Sequence, residues 1–398
     1  HESGNRDDFL ELVDAVLAVA VAADDRLIEA ECRYGKGFDA AYNGRLHEAA
    51  RHFRMAADLH RSIGQETRAR TIELDADLLL LMTGQARHAL ARQKASLDSF
   101  GSESSATLAL VTARQAVTLS HLGEFDAAAA TADRALEALQ LTDMGGNNLA
   151  STIHLIADVQ RRCGRWDEAL RVVEQTRERL ALQGDINQRI AETLAHIYLD
   201  LGRPDLAHRL IEAFAMAPNS ARMRERALVL RWAYRLATGG RIDAADALDP
   251  VLASESLLLG CELMLAAGKA ERPTPTAAQC AQLIARCEPE ALREQLVPLH
   301  ALHAWLSACE GDLEAAAASV ATAERVSEPG DVGVATPIAT LWLAKALRAA
   351  GRPAEAVAHA RRGADWLTGR AAQSVPVEFR DSFLHRNPVH RELLGWSS

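Results

Sequence analysis

His300 and His303 stand three residues apart in a stretch that reads as helix, so their imidazoles can share one face and offer two nitrogens to a metal. No carboxylate or cysteine falls in ligand pattern beside them. The plainer expectation is a pair of half-buried histidines near Trp305, with no metal. In the basic stretch 221–241, Arg224, Arg231 and Arg235 recur at i, i+7 and i+11, with Trp232 and Tyr234 between them. One arginine face with aromatic neighbours can grip an acidic segment or a phosphate backbone. A net charge of −10 argues against a nucleic-acid partner for the chain as a whole. An arginine-rich helix paired with acidic neighbours is the competing reading.

The remaining reactive residues also point away from catalysis. Cys32, Cys163, Cys261, Cys280, Cys287 and Cys309 contain no C-x-x-C pair and read as free, buried thiols in a reducing compartment. The phosphate loop G-x-x-x-x-G-K-[ST] is missing, as are G-x-G-x-x-G, H-E-x-x-H and G-x-S-x-G. Gly145-Gly146, in DMGGNN, reads as a loop between units. No catalytic residue and no cofactor are therefore expected.

The elements that hold these residues follow one repeating pattern. Gly44, Gly84, Gly123, Gly164, Gly202, Gly240, Gly311 and Gly351 are each followed five residues later by an alanine: Ala49, Ala89, Ala128, Ala169, Ala207, Ala245, Ala316 and Ala356. The glycines are spaced by 40, 39, 41, 38, 38, 71 and 40 residues, so the long gap holds a degenerate unit over about 255–287. Apolar residues at helical spacing flank each glycine, as Leu149, Ile153, Ile156 and Ala157 do before Gly164. Glycine ends the first helix, and a bulky wedge (Leu46, Phe125, Trp166, Ile242, Leu313) or a proline (Pro204, Pro353) opens the second. A second small residue lies seven positions before the glycine: Gly37, Ala116, Ala157, Ala195, Ala233, Ala304 and Ala344, with Asp77 the exception. The pattern predicts an all-α array of about nine helical hairpins.

Two small positions per unit at fixed offsets resemble the tetratricopeptide repeat over about residues 26–370. That resemblance implies a right-handed α-α superhelix. The period near 40 is similar to the sensor regions of bacterial STAND-class ATPase regulators, the maltose-regulon activator among them. The closing VPVEFRDSFLHRNPVHRELLGW (375–396) is similar to segments of large ATPases carrying such repeats. These likenesses imply a non-catalytic sensor or scaffold arm. Its partner would be a protein, a peptide or a small polar effector, and its output an NTPase domain outside this chain. A stand-alone adaptor is the alternative.

The resemblance also implies which residues face the concave groove, namely those 13, 10, 6, 3 and 2 positions before each turn glycine. In the fourth unit these are Ser151, His154, Asp158, Arg161 and Arg162, and in the fifth Arg189, Glu192, His196, Leu199 and Asp200. Tyr234 holds a groove position in the sixth. The second unit supplies Thr71, Leu74, Leu78, Leu81 and Met82, and the first Glu31, Tyr34, Phe38, Ala41 and Tyr42. The groove is thus expected to be apolar and aromatic at its N-terminal end and charged in its middle, with the charged residues either holding a ligand or pairing with one another. Residues 1–25 are expected to cap one end of the array and 371–398 the other. No secretory leader and no long apolar run is present, which fits a cytoplasmic protein without a membrane partner. The start HESGNRDD, without methionine, fits a piece of a longer protein.

Overall fold

The computed structural model describes residues 2–99, 105–142, 144–181, 188–216, 221–242, 252, 254–270, 275–327 and 332–396. Among these the chain is all-α, with twenty α-helices, three short 3-10 turns and no strand. A lone first helix, α1 (Glu2–Ala22), precedes the hairpins. These pair α2 (Arg26–Tyr42) with α3 (Leu46–Ser62), α4 (Glu66–Met82) with α5 (Ala86–Ser99), and α6 (Ser105–His121) with α7 (Phe125–Gln140). Next come α8 (Gly146–Arg162) with α9 (Trp166–Ala181), and α10 (Gln188–Asp200) with α11 (Pro204–Met216). α12 (Ala221–Ala237) follows; the helix expected after it, with Ala245, lies outside the described residues. Then α13 (Leu257–Gly268) packs with α14 (Ala277–Cys287), α15 (Arg293–Glu310) with α16 (Leu313–Ser327), and α17 (Thr336–Ala349) with α18 (Pro353–Gln373). The short helices α19 (Arg380–His385) and α20 (Pro388–Trp396) end the chain. Most of the turn expected between α13 and α14, Pro273 included, also lies outside the described residues.

The small residues explain why paired helices approach so closely. Ala49, Ala89, Ala128, Ala169, Ala207, Ala316 and Ala356 are all fully buried, as are Ala116, Ala157, Ala195, Ala304 and Ala344 on the facing helices. A Cβ on Gly37 would stand 2.5 Å from the Phe53 ring, so that crossing admits no side chain at all. Asp77, at the same place in the second hairpin, is buried with its carboxylate bonded to Arg92 of α5. Trp166 wedges under its turn against Trp366 and Phe383, while Leu313 stays about half exposed.

At the sixth hairpin the turn differs from the sequence reading. The left-handed residue is Gly239 (φ +76°), with Gly240 an added link after it. The register of α12 therefore shifts by one. Trp232 is buried where Ala233 was expected, and Ala233 turns toward the concave side.

The array closes on itself. The turns of the first five hairpins are each covered by residues from the C-terminal half. Glu255 accepts the His47 amide at 2.9 Å, and Glu290 accepts the Arg87 amide at 3.1 Å. Both amides lie in the first turn of a second helix, where donors lack intrahelical partners, and Arg45 before α3 makes no side-chain cap of its own. Arg293 donates to the Gly123 carbonyl at 3.1 Å, and the Asp167 amide donates to the Ser374 carbonyl at 3.1 Å. Ser382 and Asn387 donate to the carbonyls of Leu201 and Asp200, at 2.7 and 3.2 Å. One apolar core accordingly runs from Leu81 to Leu393.

Candidate functional site

Closure changes what the concave residues face. Instead of lining an open groove, the charged middle of α8 and α10 looks across to α12, α13 and α15. Arg161 binds Asp158 of its own helix at 3.0 Å and Asp200 of the next unit at 3.0 Å. Arg162 gathers three carboxylates: Asp158 at 2.6 Å, Glu294 at 2.8 Å and Glu262 at 3.1 Å. Glu294 is also 2.7 Å from His121, and Arg226 holds Glu192 at 2.5 Å. Burial pushes the Asp158 carboxyl up, but Arg162 and Arg161 outweigh it and hold it well below the usual carboxylate range. The same contest, won by Arg162 and His121, brings Glu294 down to about 2. Burial raises Glu192 above its ordinary value, with Arg226 only partly opposing.

Between these helices lies a cavity of about 240 Å³. Arg161, Arg162, Asp200, Glu262 and Glu294 form its charged side, and Val229, Leu236, Leu265, Val334, Ile338 and Val389 its apolar side. Two polar side chains in it are spare. Lys269 caps the end of α13 through its backbone N–H, and its side chain makes no hydrogen bond or ion pair among the described residues. Lys269 is exposed, and it lines both this cavity and a neighbouring one. His196 makes no hydrogen bond among the described residues. Burial, then Arg161, drives its pKa well below the usual imidazole range, so it is neutral and offers one donor and one acceptor. Buried Gln295 has an unpartnered Oε1 in the same wall. A smaller cavity of about 120 Å³ shares Arg162 and Glu262, and there Leu258 and Leu259 of α13 meet Leu78, Leu81 and Met82.

The residues expected in the groove thus fall in several places. Arg161, Arg162 and His196 line the larger cavity, and His154, Asp158, Arg162 and Arg189 the smaller. His154 is buried, bonded to the Thr193 hydroxyl at 2.6 Å, and lowered by burial to about 3. Glu192 is buried against Arg226, and Ser151, half-buried, lines neither cavity. Tyr234 stacks on His208 of α11 with ring centroids 5.1 Å apart. Counted from Gly239, the concave residues of α12 are Arg226, Val229, Ala233, Leu236 and Ala237; the last four line the larger cavity. In the first hairpin Tyr34 bonds Asp75 at 2.9 Å and packs on Phe38 and Phe53, while Glu31 takes Arg68 at 2.9 Å.

Other expectations resolve similarly. Arg224, Arg231 and Arg235 lie exposed along α12 and make no ion pair among the described residues; Asp243, Asp246 and Asp249, the acidic residues that follow in sequence, lie outside them. His300 is buried and His303 half-buried, the latter bonded to Ser319 at 2.8 Å. No cluster of metal-ligating side chains occurs among the described residues. Five cysteines are buried free thiols, and Cys309 is exposed. Among the described residues, no helix is long and apolar enough to cross a membrane. The cavity residues that the sequence reading missed are Lys269, Arg226, Glu262, Glu294 and Gln295. Arg226 needed only the correct glycine; the others arrive from helices that cross over from the far half. No protein-family model matches the chain, and a comparison with curated proteins finds no relative.

Proposed function

We propose that the chain is a ligand-binding module, a right-handed tetratricopeptide-like superhelix that holds a small anionic effector in its central cavity. The observation that carries this reading is Lys269: an exposed cation whose side chain has no protein partner among the described residues, lining a cavity whose other charges are paired and which His196 also lines. An ammonium in a partly apolar cavity is a natural seat for a carboxylate or phosphate oxygen. The cavity wall draws on α8, α10, α12, α13, α15, α17 and α20, so a bound ligand touches both halves of the closed array. A sensor arm of a larger STAND-class ATPase regulator requires that coupling, because the ligand must favour one arrangement of the array to relay anything. Titration calorimetry with acetate, succinate, citrate and inorganic phosphate tests the reading. At least one should bind, and Lys269→Ala should weaken it tenfold or more. Binding unaltered by Lys269→Ala refutes the assignment. The adaptor reading rests on the exposed ridge of Arg224, Arg231 and Arg235. It predicts salt-sensitive binding of an acidic peptide, lost when the three become glutamine.

A further inference from the structure

The cavity that holds Lys269 is small for a ligand site, at about 240 Å³ against the roughly 300–1,000 Å³ usual for small-molecule pockets. It does not stand alone. A second, larger space of about 1390 Å³ adjoins it and is bounded by Leu236, Lys269, Ile338, Pro388 and Val389, which also line the first. Lys269 therefore sits at the junction of the two. The outer space has a different chemistry: half-buried Leu236, Trp305 and Val389 give it an apolar strip, and exposed Arg241 and Arg391 line it as well. Its lysine is already engaged, since Lys345 binds Glu392 at 2.8 Å and lies 5.9 Å from the Trp305 ring centre. Lys269 is the cation that both spaces share, and half-buried Trp305 stands in the outer one.

Resting on the effector reading above, we infer that the ligand is an amphipathic carboxylate, with its anionic head on Lys269 and an apolar tail of several carbons along Trp305 and Val389 in the outer space. A head without a tail leaves that strip wet, and a tail without a charged head leaves the ammonium unanswered. Each methylene buried against such a strip strengthens binding about threefold to fourfold, so affinity should climb with chain length until the strip is covered.

The test is a series of straight-chain carboxylates, butyrate, hexanoate, octanoate and decanoate, titrated against the full chain while tryptophan fluorescence and heat are followed. Octan-1-ol and octylamine serve as head-group controls. The expected result is a rise of at least tenfold from butyrate to octanoate, a tryptophan emission change, and weak or no binding of the alcohol and the amine. Trp305→Ala should flatten the length dependence while leaving butyrate affinity within about threefold. Trp305→Phe, which keeps a ring there, should restore most of it. Equal, Lys269-dependent affinity along the series overturns the tail assignment and leaves the effector reading standing. Length-dependent binding that ignores Lys269→Ala, or tighter binding of octylamine, overturns both.

Discussion

Replacing Arg162 with methionine isolates the largest electrostatic commitment in the molecule. The side chain is about 12% exposed and binds Asp158, Glu262 and Glu294. Methionine keeps most of the apolar stem and removes only the guanidinium. Asp158 still has Arg161, and Glu294 still has His121, but Glu262 loses the one partner shown for it. Removing one member of a buried charged set costs about 3–5 kcal/mol, here because Glu294 and Asp158 stay desolvated, whereas Glu262, 40% exposed, keeps its contact with water. The pH dependence fixes the mechanism. Glu294 is lowered from 4.5 to about 2 in the folded chain, a linked stabilisation of about 3 kcal/mol shared between Arg162 and His121. A depressed carboxylate stabilises fully above its unfolded pKa and loses that contribution as pH falls from about 4.5 toward 2. In Arg162→Met burial is no longer outweighed, Glu294 rises, and protonation relieves it. The penalty should therefore be large at pH 7 and clearly smaller at pH 4. Urea unfolding followed by circular dichroism, with wild type beside the variant at both pH values, measures it. Glu294→Gln in the Arg162→Met background should recover part of the loss at pH 7. A penalty under about 1 kcal/mol at pH 7, or one equal at both pH values, refutes the reasoning.

Two further predictions concern the closure and the histidines. Gly44 (φ +77°) has open space around its missing Cβ, so Gly44→Ala should cost only the left-handed strain of about 1–2 kcal/mol. Gly202 (φ +68°) has the Ser382 carbonyl 2.2 Å from that position, so Gly202→Ala should cost more and speed hydrogen exchange in 380–396; equal effects at the two glycines refute the packing argument. Burial lowers His154 to about 3 and His300 and His390 to about 4. The unfolded chain takes up their protons first, so stability should decline as pH drops from about 6.5 toward 4. Urea midpoints unchanged between pH 7 and pH 5 would count against these burials.

The helical hairpins were legible because their signals are local. A glycine at a helix end and alanines at two crossings recur close enough in sequence for the pattern to show itself, and eight registered copies outweigh any single poor one. The register of α12 misled for an equally local reason. Two glycines stand side by side, and only the backbone shows that Gly239 takes the left-handed turn while Gly240 lengthens it. That one-residue choice put Tyr234 in the expected groove where Ala233 stands, and Ala227 where Arg226 stands. The partners of Arg162 were illegible for a different reason. Glu262 and Glu294 lie 100 and 132 residues away in sequence, and what brings them there is the packing of later helices across earlier ones. Small packing angles set that arrangement, and no motif writes them down. Lys269 had no signal at all, since it ends the one unit that lacks the glycine-alanine pattern.

The cross-links that cover the hairpin turns also bear on how such a chain can change over evolutionary time. A linear repeat protein can gain or lose a unit by duplication or deletion, because each unit answers only to its neighbours. Here His47 is matched to Glu255 across 208 positions, Arg87 to Glu290 across 203, and Leu201 to Ser382 across 181. Inserting one forty-residue unit between the halves would put every one of these pairs a hairpin out of step at once. Glu255 would arrive where Glu290 belongs, and a glutamate where Arg293 is needed. Point substitution remains open to this sequence, but growth by copying its own units is closed. The number of hairpins is as much a specified property of the molecule as any residue in its cavity.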